Sequence, residues 1–194
     1  MDIESKFEAK ILSRFSRSFN EITVHLDKVK KDFEDEKMDA LVKALLSSRR
    51  IFIYGAGRSG LVGRMFTQRL MHLNLNAYFV GETLTPALES QDMFIAISGS
   101  GQTTSTLALT RAAKGRGAKI IVLTAHPSSP LAEAADLIIP IKGKTKLAEY
   151  ESSAPFTTLF DITCLAYLDS LASELMGRLG LTDKDIEGRH ATVE

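Results

Sequence analysis

The residues best suited to chemistry form a loop of glycines and hydroxyls between residues 98 and 103. The loop follows the apolar run Met93–Ile97, which predicts a buried strand, and leads into a helical pattern that begins near Thr103. Such a loop gathers backbone N–H groups at the positive end of a helix dipole. Its hydroxyls can donate to phosphate oxygens, and its glycines let the backbone approach the anion closely. We assign phosphate binding to this phosphate loop, which consists of Ser98, Gly99, Ser100, Gly101, Gln102 and Thr103.

A second glycine loop, Gly55-Ala56-Gly57-Arg58-Ser59-Gly60, follows the predicted strand Ile51–Tyr54. With Glu82 after the next strand, it fits the dinucleotide-binding pattern. However, the phosphate loop would be redundant in a single mononucleotide-binding half, and the chain is too short for a second half and a substrate domain. We favour a sugar phosphate whose sugar contacts Ser59 and the amides of this second loop, which we call the sugar loop.

Strand and helix patterns alternate from Arg50 onward. Five short apolar runs predict strands, with helical periodicity between them. This predicts an α/β fold with a five-stranded, mostly parallel sheet flanked by helices, and ligands at the carboxyl ends of its strands. The predicted strands are Ile51–Tyr54, Asn76–Val80, Met93–Ile97, Lys119–Thr124 and Leu137–Ile141. A polar linker, residues 142–153, precedes a long predicted helix, residues 156–178.

An apolar stripe of helical period runs from Ile3 to Phe33, for about eight turns. A second helix is predicted from Met38 to Ser48. Because so long a stripe needs a partner and is rich in phenylalanine, we expect residues 1–48 to contact another subunit. Residues 50–194 then form the α/β core, so that the chain is a single domain.

Composition narrows the functional class. The 194 residues contain 24 Lys plus Arg and 24 Asp plus Glu, so no basic excess points to nucleic acid. One cysteine, Cys164, excludes an internal disulfide. No apolar run has the length of a secretory signal or a membrane span, so we expect a cytoplasmic protein. No group of His, Cys, Asp and Glu has metal-ligand spacing, and we expect no metal.

The pairing of the sugar loop with the phosphate loop resembles the sugar isomerase (SIS) family. The similarity is greatest to the 6-phospho-3-hexuloisomerases and covers about residues 51–194. Further segments carry it: Arg69-Leu70-Met71-His72-Leu73, residues 78–86, Thr158-Leu159-Phe160 and the tail Gly188-Arg189-His190-Ala191.

This resemblance implies a homotetramer that interconverts D-arabino-3-hexulose 6-phosphate and fructose 6-phosphate without metal or organic cofactor. It also implies a catalytic glutamate after Leu-Phe at the start of the long helix, where this chain has the shorter Asp161. Glu149 and Glu151 in the preceding loop are alternative bases. The resemblance gives His190 the role of an acid or proton shuttle, at a neighbouring subunit's site. Two other functions stay open: a non-catalytic sugar phosphate sensor, and an isomerase of another sugar phosphate such as arabinose 5-phosphate.

Overall fold

Five parallel strands form the centre of the fold in a computed structural model that describes residues 3–148 and 150–190, with side chains from residue 13 onward. Their order across the sheet is β2-β1-β3-β4-β5, and every neighbouring pair is parallel. The predicted five-stranded sheet is therefore confirmed. The strands are β1 (Ile51–Gly55), β2 (Ala77–Phe79), β3 (Met93–Ile97), β4 (Lys119–Thr124) and β5 (Leu137–Pro140).

Helices cover both faces of the sheet. Those packed on one face are α2 (Asp35–Ser47), α3 (Arg58–His72) and α5 (Thr158–Leu179), whereas α4 (Thr104–Gly115) lies on the other. A long helix, α1 (Ile3–Val29), precedes this three-layer core and contacts α5, and a short helix, α6 (Asp183–Glu187), follows it. The connection between β4 and β5 contains the 3₁₀ turn Ala132–Ala134.

The strands are apolar along their length because helices cover both faces of the sheet. Ile53, Ile95 and Ile121 point into the cluster beneath α2, α3 and α5. Their neighbours Phe94 and Val122 point into the cluster beneath α4. Because both faces of a parallel sheet are buried, alternation between polar and apolar residues disappears from its strands.

The sugar loop brings α3 unusually close to β1. A Cβ atom at Gly60 would overlap the carbonyl oxygen of Gly55, so only glycine permits this packing. Helix α3 begins at Arg58, within the sugar loop. Ser59 therefore lies in the first turn of α3, where the helix meets the carboxyl end of β1.

Helix α1 has a partly exposed apolar side. Val29 is buried, while Phe15 and Phe19 are 66% and 60% exposed and stack on each other at a centroid distance of 6.1 Å. The predicted long helix is present, and its contact with another subunit stays a prediction. Within the described residues, no helix combines the length and the apolar character needed to cross a bilayer.

An ion pair joins the amino-terminal ends of β1 and β3, at the edge of the sheet opposite the two glycine loops. The Arg50 guanidinium donates to Asp92 through Nε at 3.0 Å and Nη2 at 2.7 Å, and the Glu89 amide adds a third hydrogen bond. Burial acts to raise the pKa of Asp92, but these bonds and the charges of Arg50 and Arg49 outweigh it and hold that pKa below its ordinary value. Asp92 is therefore ionised at neutral pH.

We expect Asp92→Asn to lower the free energy of unfolding at pH 7 by about 3 kcal/mol, because it removes the buried charge partner of the largely buried Arg50 and leaves it the exposed Glu89 carboxylate at 3.5 Å. Since the folded state depresses the pKa of Asp92, this stabilisation is full above the unfolded pKa of about 3.9 and is lost as the pH falls through the folded pKa. Urea unfolding across the acid range should show the difference from wild type shrinking.

The matched control is Asp169→Asn, which removes an exposed ion pair with Arg69 and should cost less than about 1 kcal/mol. An Asp92→Asn deficit that stays constant down to the acid unfolding limit would contradict this account.

Candidate functional site

A cavity of about 280 Å³ opens at the carboxyl ends of β1 and β3. The chain leaves β1 toward β2 on one side and leaves β3 toward β4 on the other, so the connections diverge at this point. Ligands of open α/β sheets bind at such a switch point. Three segments line the cavity: the sugar loop, the phosphate loop and the connection from β5 to α5. Their lining residues are Ala56, Gly57, Arg58, Ser59, Ile97, Ser98, Gly99, Ser100, Thr103, Thr145, Lys146, Phe156, Thr157 and Phe160.

The phosphate loop is held in shape by its own hydrogen bonds. The Gly101 amide donates to the Ser98 carbonyl at 3.1 Å, and the hydroxyls of Ser98 and Thr103 lie 3.2 Å apart. Gly101 has φ +61°, and a Cβ atom there would overlap the Ser129 side chain. The sequence therefore needs glycine at this position to turn the chain into α4.

Thr103 is the residue before the first turn of α4, and its hydroxyl makes no capping hydrogen bond to the helix. That hydroxyl and those of Ser98 and Ser100 line the cavity around the helix N-terminus. Together with the backbone N–H groups, they provide donors at the positive end of a dipole, which is the chemistry of an anion site. The structure thus brings together the hydroxyls that the sequence assigned to phosphate.

Two assigned residues of the phosphate loop do not line the cavity. Gly101 is buried behind the loop, and Gln102 is exposed. The Gln102 amide donates to the Ser100 hydroxyl at 3.3 Å. Gln102 thus orders the loop through its backbone, while its side chain points elsewhere.

The Asp161 carboxylate links the sugar loop to α5. Its Oδ2 atom accepts hydrogen bonds from Arg58 Nε at 2.8 Å and from the Thr157 hydroxyl at 2.7 Å, and the Ser59 hydroxyl lies 3.3 Å from Oδ1. Asp161 is 3% exposed, whereas the Arg58 side chain is 59% exposed and covers it from the solvent side. The carboxylate therefore does not line the cavity itself but contacts side chains that do.

The charges at the cavity favour an anion. Arg58 and Lys146 contribute cationic side chains to its lining. Among the described residues, no carboxylate or imidazole reaches the lining itself. Asp161 is the one described carboxylate that hydrogen-bonds to lining side chains. A phosphate dianion would meet donors and positive charge at the surface, with the compensating carboxylate behind them.

His190 lies far from this cavity within its own chain. Its ring packs on that of His72 at a centroid distance of 4.4 Å, and the neighbouring Arg189 donates to the His72 carbonyl at 2.7 Å. His72 ends α3, and the cavity lies at the start of the same helix, about 22 Å away along 15 residues. Burial first, and then the charges of His190 and Arg69, lower the pKa of His72. Within the chain, His190 therefore does not reach the cavity.

The two alternative bases are placed differently. Glu151 is exposed and lines a shallow polar depression beside Glu21 and Lys144, outside the cavity. Glu149 lies outside the described residues.

Sequence reasoning missed the part of the site that comes from the linker after β5. Thr145 and Lys146 line the cavity from the predicted polar linker, which shows no periodicity. Phe156 and Thr157 also line it, although the sequence predicts them as the start of the long helix, which begins only at Thr158. One signal was available: lysines recur at 142, 144 and 146 immediately after the last strand. Cations at the carboxyl edge of a parallel sheet are where an anionic ligand would need them.

Comparisons with known proteins identify the family of the chain. A family model described as SIS domain matches residues 44–172. A 3-hexulose-6-phosphate isomerase of Methanocaldococcus jannaschii is 41% identical over 81% of this chain and 84% of its own length. The enzyme of that name from Bacillus subtilis is 39% identical over 82% of this chain and 88% of its own.

A solved structure gives the same result in three dimensions. A protein from Methanococcus jannaschii, whose structure infers a molecular function of 3-hexulose-6-phosphate isomerase, superposes with a TM-score of 0.79. It is 38% identical, and the match covers 94% of this chain and 99% of that one. Since the segment that matches the family model contains all five strands, both glycine loops and the start of α5, the chain belongs to the SIS domain family.

Proposed function

We propose that the protein is an isomerase that interconverts D-arabino-3-hexulose 6-phosphate and fructose 6-phosphate. The main support for the proposal is that the sugar loop and the phosphate loop line the same cavity. Arg58 and Lys146 also belong to its lining. The relatives that are about 40% identical over most of the chain and named 3-hexulose-6-phosphate isomerase support this choice of substrate.

In this proposal the substrate phosphate binds at the N-terminus of α4, against Ser98, Ser100 and Thr103. The dianion is thereby fixed away from the reacting carbons, and its binding energy orients them. The sugar extends toward Ser59 and Thr157, at the other side of the cavity.

The reaction moves a carbonyl from C3 to C2. A base removes the proton from C2, and the electrons of that bond form a C2=C3 double bond while an acid gives a proton to the C3 carbonyl oxygen, so that an enediol results. The proton on the base then returns to C3, and the C2 hydroxyl gives its proton to the deprotonated acid as its oxygen becomes the C2 carbonyl. We assign the base to Asp161 because its carboxylate already hydrogen-bonds to three side chains of the cavity wall. Arg58 lies on the solvent side of it, so an incoming substrate oxygen can replace the carboxylate as the partner of Arg58 and release Oδ2 for the proton.

Other parts of the proposal concern the assembly. We assign His190 to the site of a neighbouring subunit, as an acid or shuttle between substrate oxygens. The exposed Phe15 and Phe19 support a subunit contact through α1, in a homotetramer. The activity belongs to the ribulose monophosphate route, in formaldehyde fixation or pentose synthesis, in the cytoplasm.

One feature favours a second function, that of a non-catalytic sugar phosphate sensor. Both oxygens of Asp161 are occupied and its side chain is almost fully buried, which is unfavourable for a base. A sensor would bind fructose 6-phosphate without turning over the 3-hexulose.

We expect Asp161→Asn to lower kcat by about 10²–10⁴-fold, the usual contribution of a positioned base. Asp161→Glu should keep or raise the rate, because the added methylene moves the carboxylate toward the cavity. Both are measured as formation of fructose 6-phosphate, with thermal unfolding to confirm that the variants are folded.

Asp169→Asn, an exposed aspartate on the same helix, serves as the control and should behave like wild type. Wild-type turnover in Asp161→Asn would assign the base elsewhere. Binding of fructose 6-phosphate without any turnover by the wild type would establish the sensor.

We expect Ser98→Ala and Ser100→Ala each to weaken binding of inorganic phosphate about tenfold or more, since each loses a hydrogen bond to a charged group. The KM for the sugar phosphate should rise in parallel. Calorimetric titration gives the affinity, and Ser105→Ala on the exposed side of α4 is the control. Unchanged phosphate affinity in both loop variants would show that phosphate does not bind at this loop.

A further inference from the structure

The connection from β5 to α5, residues 142–157, supplies one wall of the cavity, and we call it the roof loop. It contributes Thr145 and Lys146 from its first half and Phe156 and Thr157 from its end. The described part of the loop contains neither helix nor strand, so its position depends on contacts with other elements.

A single side chain of α1 holds the second half of the roof loop. The Glu21 carboxylate accepts hydrogen bonds from the Ser152 hydroxyl at 2.6 Å, the Ser153 amide at 2.6 Å and the Ala154 amide at 3.1 Å. A carboxylate is suited to three converging donors because it offers two acceptor oxygens and no hydrogen. Glu21 thus replaces the backbone partners that these amides would find in a helix or sheet.

Two residues after this anchor, Phe156 and Thr157, reach the cavity. Phe156 has φ +34°, a conformation that L-residues avoid, and its side chain is 68% exposed at the cavity mouth. Such a conformation persists only where the surrounding structure determines it. The Ala154 amide fixes the chain on one side of Phe156, and the Thr157 hydroxyl, bonded to Asp161, fixes it on the other.

The charge of Glu21 is maintained by the same contacts. Burial acts to raise its pKa, but the hydrogen bonds from residues 152–154 and the charge of Lys144 outweigh it and hold that pKa below the ordinary value. At neutral pH Glu21 is therefore a carboxylate. A second contact on the next turn of α1, between His25 Nε2 and the Thr163 hydroxyl at 3.0 Å, seats the helix on α5.

We propose that Glu21 is a positioning residue for the isomerase. It acts through the roof loop and holds Phe156 and Thr157 where they meet the sugar and the Asp161 carboxylate. The phosphate loop does not contact Glu21. Removal of Glu21 therefore disturbs the orientation of the sugar and leaves the phosphate-binding loop intact. This inference rests on the proposed function and extends it to α1, which lies outside the cavity.

The test compares Glu21→Ala, Glu21→Gln and Asp27→Ala. Glu21→Ala should lower kcat for fructose 6-phosphate formation about tenfold or more, while the affinity for inorganic phosphate stays within about twofold. Glu21→Gln should recover most of the rate, since its amide oxygen can accept from Ser153 and Ala154 and its NH₂ group can donate to Ser152. Asp27 is exposed on the same helix and, among the residues that the structure describes, pairs only with Lys30, so its removal should change neither quantity.

Other results would overturn the proposal. A merely structural role predicts a lower melting temperature with unchanged kcat for the folded Glu21→Ala enzyme, or an equal loss of phosphate and sugar binding. If Glu21→Ala does not fold, Ser152→Ala, which removes one of the three donors, must lower kcat partially with phosphate affinity unchanged.

Failure of the proposed function can be distinguished from failure of this inference. If the wild type does not turn over the 3-hexulose, fructose 6-phosphate binding decides the role of Glu21. Selective weakening of that binding in Glu21→Ala, by about fivefold relative to inorganic phosphate, supports positioning, and equal affinities contradict it.

Discussion

The hydrogen bonds of the Asp161 carboxylate join the start of α3 to the start of α5, two segments whose bonded residues are 102 and 103 positions apart in the sequence. Arg58 and Ser59 come from the start of α3, Thr157 from the end of the roof loop, and Asp161 itself from the first turn of α5. Each of these partners lines the cavity, and the carboxylate behind them fixes their mutual distances. A side chain at 161 without an acceptor oxygen would leave the Arg58 guanidinium and two hydroxyls without a common acceptor. The shape of the site therefore depends on one buried carboxylate.

The opposite edge of the sheet has a different role. There Arg50 and Asp92 join the amino-terminal ends of β1 and β3, and neither contacts the cavity. Both edges contain an arginine paired with a buried aspartate. At the Arg50 edge the arginine is itself mostly buried, whereas at the cavity Arg58 is largely exposed. An exposed guanidinium can exchange its carboxylate partner for a ligand oxygen, and a buried one cannot do so without a large cost.

Much of this arrangement could be predicted from the sequence, because it follows from local patterns. The apolar runs at Ile51, Met93 and Lys119 located the strands, and the parallel order placed both glycine loops at the same edge. The hydroxyls of Ser98, Ser100 and Thr103 meet at the cavity as the loop chemistry predicts.

The conformation of the roof loop could not be predicted from the sequence, for a physical reason. Its conformation is determined by long-range contacts, such as those of Glu21 with residues 152–154, and not by its own periodicity. Similarly, no local pattern pairs Arg58 with Asp161, and the predicted catalytic roles of Asp161 and His190 stay predictions.

The anchoring of the roof loop by α1 affects the order in which the parts of the site form during synthesis. Glu21 is synthesised early, but its partners Ser152, Ser153 and Ala154 follow 131 to 133 residues later. Since a nascent chain emerges amino terminus first, α1 cannot attach to the roof loop until residues 152–154 have been synthesised. Helix α5, which buries one face of the sheet, follows them in the chain. Closure of the cavity and burial of that face therefore both wait for the last fifth of the chain.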